Sequence, residues 1–175
     1  MRKPFVLTSL LAAMVFFTTA YILHIPVGTG GGYIHLGDTM IYMAAVLLPT
    51  PYAVAAAAIG AGLADVLTGA AVWALPTVVI KGLMVLPFTA KRESLLCRRN
   101  LLAPVLAGCI GVGGYFLAEL AIVTLSGGTL QAAVGGSLAA VLPNVVQELG
   151  GGGAFILLAA AFDRLHLKQR LLREK

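Results

Sequence analysis

Long apolar runs separated by short polar segments are the main pattern in this sequence. A helix needs about 20 apolar residues to cross the hydrocarbon core of a bilayer, and two of the runs are short for that length. The pattern predicts an all-α integral membrane protein with six transmembrane helices in one domain, residues 1–175. The predicted spans are residues 5–24, 37–49, 52–68, 72–90, 101–125 and 138–163, with an outer loop at 25–36 and a basic loop at 91–100.

The tract from Leu130 to Phe162 is too long for one straight span. Proline removes a backbone donor and disturbs a helix interior, so Pro143 is expected to divide this tract into a short outer segment and the sixth span. The four glycines at 150–153 then indicate close helix packing or a turn.

Composition and charge place these spans in a membrane with a definite orientation. Hydrophobic residues make up 59% of the 175 and charged residues 11%, against about 25% charged in soluble domains. Eleven of the twelve Lys and Arg lie before residue 4, within 91–100 or after Asp163. Because cationic segments stay in the cytoplasm, both termini and the basic loop are predicted to be cytoplasmic in a multi-pass plasma-membrane protein. The net charge of +5 follows from this retention and does not indicate nucleic-acid binding.

The first apolar run has two interpretations. A charged start and the small residues Thr18–Ala20 are also typical of a cleavable signal peptide, but its removal would leave five spans and break the charge pattern. Within the run, small residues stand four apart, a spacing that lets helices approach closely. The two pairs are Thr8 with Ala12 and Ser9 with Ala13.

Polar and ionisable side chains fall in the predicted outer half or near the midplane. Lys81 lies near the midplane, where a cation needs a partner or water, and Glu148 at similar depth is its favoured partner. Together the polar groups predict a pocket open to the outside, and four acids against one lysine favour an uncharged or cationic ligand. The candidate residues are Tyr33, His35, Asp38, Asp65, Trp73, Thr77, Lys81, Glu119, Asn144, Gln147 and Glu148.

Several classes of site have no support in the sequence. The glycine-rich segment before Tyr33 lacks the Gly-Lys-Ser/Thr ending of a phosphate-binding loop, so no ATP hydrolysis by this chain is expected. Cys97 and Cys109 are expected to be inert thiols, and neither a metal nor a cofactor is predicted.

Five short motifs stand out between residues 32 and 82. They are Gly32-Tyr-Ile-His-Leu-Gly-Asp38, Leu48-Pro-Thr-Pro51, Leu63-Ala-Asp65, Trp73-Ala-Leu-Pro-Thr77 and Ile80-Lys-Gly82. Together they resemble the riboflavin-transporter-type substrate-binding (S) components of energy-coupling factor (ECF) importers. The resemblance implies a subunit that binds a vitamin or vitamin precursor and associates with a transmembrane coupling subunit and two cytoplasmic ATPases. It also implies that a small-residue pair on the first helix contacts the coupling subunit; here either of the two pairs above replaces the usual alanines.

The ligand favoured by the acids and amides is a small amino- or hydroxymethyl-substituted heterocycle. Two other classes remain open on the residues alone. A proton-coupled secondary transporter would use Glu119, Glu148 and Lys81 as a relay, although inverted repeats are not clear. A membrane-embedded hydrolase would use His35 with Asp38, although no nucleophile paired with a base stands out.

Overall fold

The computed structural model of this chain describes residues 2–27 and 32–172. These residues form seven α-helices and one antiparallel two-stranded hairpin, with a short 3-10 turn at Ala71–Trp73 leading into α4. The elements are α1 (Arg2–Tyr21), β1 (Ile25–Val27), β2 (Gly32–Ile34), α2 (Gly37–Leu47), α3 (Thr50–Leu67), α4 (Ala74–Met84), α5 (Arg98–Leu125), α6 (Leu130–Arg164) and α7 (Leu167–Leu172).

The short helix α2 lies at the centre of the fold. It packs against α1, α3 and α6, and every one of its residues except Met40 is buried. Helix α3 is equally apolar but keeps an exposed face, so the enclosure of α2 follows from its central position and not from its composition. Asp38 lies in its first turn, where the helix dipole favours a negative charge.

Within the described part of the chain, four helices are long and apolar enough to cross a membrane: Pro4–Tyr21, Thr50–Leu67, Arg98–Leu125 and Leu130–Arg164. The apolar helices Gly37–Leu47 and Ala71–Met84 are shorter. Leucines and valines are exposed along the outward faces of the long helices, as expected of surfaces in contact with lipid. The chain is therefore a mostly helical membrane protein, and six spans with cytoplasmic termini remain a prediction.

Two local expectations were wrong. Part of the predicted outer loop is a hairpin in which Ile25 pairs with Ile34 and Val27 with Gly32; residues 28–31 of that loop lie outside the described residues. Pro143 does not divide the last tract, because α6 runs unbroken from Leu130 to Arg164. Proline lacks the backbone N–H and so removes one hydrogen bond from the helix. Helix α6 packs against α5, and this packing keeps the helix continuous. The glycines at 150–153 are helical, and two of them allow close packing: Gly151 against Asp38 and Gly152 against Pro104.

The basic end of the molecule is held together by two side chains near the C-terminal end of the fold. The Lys168 ammonium donates to the carbonyl oxygens of Val46, Ala90 and Arg92 at 2.9, 2.7 and 2.6 Å. Burial lowers the pKa of this ammonium. The Asp163 carboxylate accepts from the backbone N–H groups of Leu95 and Leu96. These contacts fix the loop between α4 and α5 against α2, α6 and α7.

Candidate functional site

A buried ionic cluster lies where α2, α4 and α6 meet. The Lys81 ammonium is 2.6 Å from Asp38 Oδ1 and 3.7 Å from Glu148 Oε1. Lys81 and Asp38 are fully buried and Glu148 is 7% exposed. The expected partner Glu148 is present, but Asp38 is the closer one. The sequence gives only the depth of each acid along its own helix. Asp38 and Glu148 contact the same ammonium from two different helices, so depth alone does not show which acid is closer.

Three further side chains hold the carboxylates of this cluster. Gln147 Nε2 donates to Asp38 Oδ2 at 2.8 Å, while its Oε1 accepts from the His35 backbone N–H at 3.3 Å. The Tyr42 hydroxyl donates to Glu148 Oε2 at 2.5 Å. Since Gln147 and Glu148 follow each other on α6, one helix supplies both an amide and an acid to the cluster.

Tyr42 is a site residue that the sequence analysis missed. It lies in the apolar run of α2 and its ring packs against Phe88, with the ring centroids 4.9 Å apart. A tyrosine in such a run is usually a core residue, and a buried hydroxyl usually finds a partner. The only signal in the sequence was its position four residues after Asp38, on the same face of a helix.

Glycines make room for the acids. A Cβ atom on Gly111 of α5 would overlap Glu148 Oε1, and one on Gly151 of α6 would come within 2.9 Å of the Asp38 Cβ. In contrast, a Cβ on Gly113 would meet nothing within 4 Å. The close approach of α5 to Glu148 therefore depends on a specific glycine.

The hairpin covers the start of α2. The Tyr33 hydroxyl donates to Asp65 Oδ1 at 2.5 Å, and the Tyr33 ring stacks on His24 with centroids 3.9 Å apart. Burial is the main cause that raises the pKa of Tyr33, and the neighbouring Asp65 adds to it. His35 is buried, its Nδ1 accepts from the Gly37 N–H at 2.9 Å, and burial lowers its pKa to about 4. His35 therefore caps α2 as a neutral imidazole.

Aromatic and hydroxyl groups border the cluster on α4 and α5. The Lys81 ammonium lies 5.3 Å from the centre of the Tyr115 ring, an arrangement that favours a cation. The Tyr115 hydroxyl is 3.1 Å from the Thr77 hydroxyl, and the Trp73 and Tyr115 rings are 6.1 Å apart. Trp73, Thr77 and Lys81 therefore share one face of the segment that includes α4, as their spacing predicted.

Two predicted site residues stand apart from these contacts. Glu119 and Asn144 are half-buried, and neither makes a hydrogen bond with any residue in the described ranges. The Glu119 carboxylate instead lies close to Gly136 on the neighbouring helix. Their part in a binding site remains a prediction.

The two small-residue pairs on α1 face different surroundings. Ala12 is buried, and its carbonyl oxygen lies 2.5 Å from the place where a Cβ of Gly60 on α3 would be. Ser9 and Ala13 are exposed, while Thr8 is half-buried. The Thr8 and Ala12 face thus packs inside the protein, and the Ser9 and Ala13 face points outward.

Comparisons with known proteins agree with this architecture. The family described as ECF-type riboflavin transporter, S component, matches residues 2–164. A Pyrococcus woesei protein described as "Uncharacterized protein in gap 3'region" is 33% identical over 145 residues, and the match covers 79% of this chain and 91% of that protein. A solved structure titled "Structure and mechanism of the S component of a bacterial ECF transporter" has a TM-score of 0.70, covering 93% of this chain and 96% of that one at 16% identity; this likeness concerns the fold.

The chain belongs to the ECF-type riboflavin transporter S component family. It is thus the substrate-binding component of an ECF transporter, and the resemblance found in its motifs is confirmed. The family is a transporter component and not an enzyme, which argues against the hydrolase alternative.

Proposed function

We propose that this chain captures a water-soluble vitamin or vitamin precursor from outside the plasma membrane, and that the ligand is a small amino- or hydroxymethyl-substituted heterocycle. The observation that carries the proposal is the buried cluster of Lys81, Asp38 and Glu148, with Gln147 and Tyr42 bound to its carboxylates. The proposed site also includes the residues that border this cluster: Tyr33, His35, Asp65, Trp73, Thr77 and Tyr115.

Stability alone does not explain such a cluster. Buried ion pairs often contribute little net stability, because desolvation offsets the attraction between the charges. Ionisable residues within membrane helices usually serve a substrate or an ion. Here three acids, Asp38, Asp65 and Glu148, accompany one lysine, an excess that suits a neutral or cationic ligand with hydrogen-bond donors. The aromatic rings of Trp73 and Tyr115 suit a flat ring.

The substrate assignment is tested by mass spectrometry of small molecules that co-purify with the protein from rich medium. We expect a heterocycle enriched with the wild type and at least about tenfold depleted with Lys81→Met, since a hydrogen bond to a charged group contributes about 1.5–3 kcal/mol. Glu93→Gln is the matched control, because this carboxylate is exposed in the basic loop and the ligand content of the variant should stay at the wild-type level. Size-exclusion profiles confirm that each variant is folded. If the wild type carries no compound beyond those found in mock purifications, the substrate assignment is wrong.

We further propose that the exposed Ser9 and Ala13 face of α1 binds a transmembrane coupling subunit, which links the chain to two cytoplasmic ATPases. Small residues permit the close helix approach that such a contact needs. Ala13→Leu should abolish uptake while ligand binding in detergent is unchanged. Ala12→Leu should instead destabilise the protein, because Ala12 packs against Gly60.

The same uptake assay separates the ECF mechanism from proton-coupled transport. If cells that lack the two ATPases still take up the ligand, this result would favour the secondary transporter. Loss of ligand binding in Ala13→Leu would assign that face of α1 to internal packing.

A further inference from the structure

Asp65 has one carboxylate oxygen that the protein does not use. Its Oδ1 accepts the Tyr33 hydroxyl at 2.5 Å. Its Oδ2 is buried and has no hydrogen-bond donor among the residues that the structure describes. The whole residue is 5% exposed. Buried carboxylate oxygens are almost always paired, because an unpaired one loses its hydration without replacement.

The local structure gives no reason for an acid at this position. Asp65 lies in the last turn of α3, where the helix dipole disfavours a negative charge. Asp38 is the contrasting case, because it lies in the first turn of α2 and also has Lys81 as a partner. An acid that weakens its own helix and leaves an oxygen unpaired serves something other than the fold.

The donors around Asp65 already have other partners. The Thr77 hydroxyl lies near the Asp65 carboxylate and shares a hydrogen bond of 3.1 Å with the Tyr115 hydroxyl, in which either oxygen could be the donor; it makes no hydrogen bond with Oδ2. Lys81 contacts Asp38 at 2.6 Å. The Tyr33 hydroxyl has one hydrogen and gives it to Oδ1. In this arrangement no described group donates to Oδ2.

We infer that Asp65 Oδ2 accepts an N–H donor of the ligand, so that Asp65 is the residue that selects an amino or ring N–H group over its methylated form. This inference rests on the proposed function and specifies which ligand group the site recognises. A ligand N–H supplies the missing donor, whereas an N-methyl group removes the hydrogen and places a carbon against a buried carboxylate. Tyr33 fixes the carboxylate and links the hairpin to this contact.

The test is equilibrium binding of compounds that differ only at one nitrogen. The probes are riboflavin with 3-methylriboflavin, and 4-amino-5-hydroxymethyl-2-methylpyrimidine with its N,N-dimethylamino derivative. For whichever pair binds, the wild type should prefer the N–H compound by about tenfold or more, as expected for a hydrogen bond to a charged group. In Asp65→Asn the preference should fall to within about threefold.

Glu93→Gln is the matched control and should keep the full preference, because this acid is exposed in the basic loop. Asp65→Glu retains the charge but moves the oxygens by one methylene, and it should lose affinity for the N–H compound more than for the methylated one. If Asp65→Asn does not fold, the preference of the wild type and the affinities of Asp65→Glu still test the inference. A wild type that binds both members of a pair equally, or an Asp65→Asn protein that keeps the preference, overturns the inference while the proposed function stands. If no heterocycle binds or co-purifies, the proposed function fails.

Discussion

The charge balance around Lys81 explains why each side chain of the cluster needs the others. Its ammonium is fully buried with Asp38, and an isolated charge there is strongly disfavoured. Gln147 and Tyr42 then donate to the carboxylate oxygens that face away from the ammonium. Removal of one member leaves a buried charge or donor without its partner. Substitution of one member should therefore destabilise the protein more than simultaneous substitution of both partners.

Double-mutant cycles test which acid is the main partner of Lys81. We expect Lys81→Met and Asp38→Asn to be non-additive by about 1–3 kcal/mol, because their atoms are 2.6 Å apart. Lys81→Met with Glu148→Gln should show a smaller coupling, since that separation is 3.7 Å. The measurement is ligand-free thermal unfolding in detergent. The pair Lys81 and Glu119 is the control, and a Lys81–Asp38 coupling no larger than the control value would contradict the geometry.

His35 should make stability depend on pH. Its pKa is about 4 in the folded protein against a usual value of 6.5, so the unfolded chain binds the proton more readily. The contribution is fully present above about pH 6.5 and is lost as pH falls toward 4, by a total of about 3 kcal/mol. Protonation would place a hydrogen on Nδ1, which now accepts from Gly37.

The measurement is the unfolding temperature between pH 7.5 and pH 4.5. His35→Asn offers an amide oxygen to the Gly37 N–H and does not titrate, so the wild type should lose more stability than this variant over the interval. The charged and titratable groups around His35 are Asp38, Lys81 and His24, and they are present in both proteins. Parallel curves for the two proteins would show that His35 does not titrate in this way.

At the scale of single residues, the sequence revealed which groups matter but not how they pair. Lys81 and its acids were visible because charges are rare in apolar runs. The choice of Asp38 over Glu148, and the part played by Tyr42, depend on how three helices are placed side by side. That placement follows from packing between helices, which periodicity along one helix does not determine.

At the scale of helices and strands, glycine positions decide how closely α5 and α6 approach. Gly111→Ala should lower the unfolding temperature and weaken ligand binding, because its Cβ would overlap the Glu148 carboxylate and overpacking costs about 1–3 kcal/mol. Gly113→Ala is the matched control on the same helix. It has open space and should be neutral or more stable by up to about 1 kcal/mol. Equal effects of the two substitutions would contradict the packing described for Glu148.

Element boundaries show the limits of local signals. Apolar periodicity predicted where the long helices lie, because a membrane helix needs a long uninterrupted run. The break at Pro143 was wrong, since helix packing outweighed a local preference. The hairpin at β1 and β2 was also missed, because its two strands are three residues each and too short for an alternating pattern to be recognised.

At the scale of the whole molecule, orientation is the property that the proposed function most depends on. In a protein with Cys97→Ser and Cys109→Ser, a membrane-impermeant maleimide added to intact cells should label Ser126→Cys and not Lys91→Cys. Both positions are exposed, and cationic loops remain in the cytoplasm. After permeabilisation both should be labelled. The opposite labelling pattern would reverse the orientation and contradict capture from the outside.

Helix α2 joins the two ends of the molecule. Asp38 lies in its first turn, and the carbonyl oxygen of Val46, near its last residue, accepts from Lys168. Eight residues of helix separate them, about 12 Å. A shift of α2 along its axis would change the distance between Val46 and that ammonium, and the same ammonium contacts Arg92 in the basic loop and Ala90 just before it. If occupancy of the proposed site moves α2, this contact would carry the movement to the basic loop.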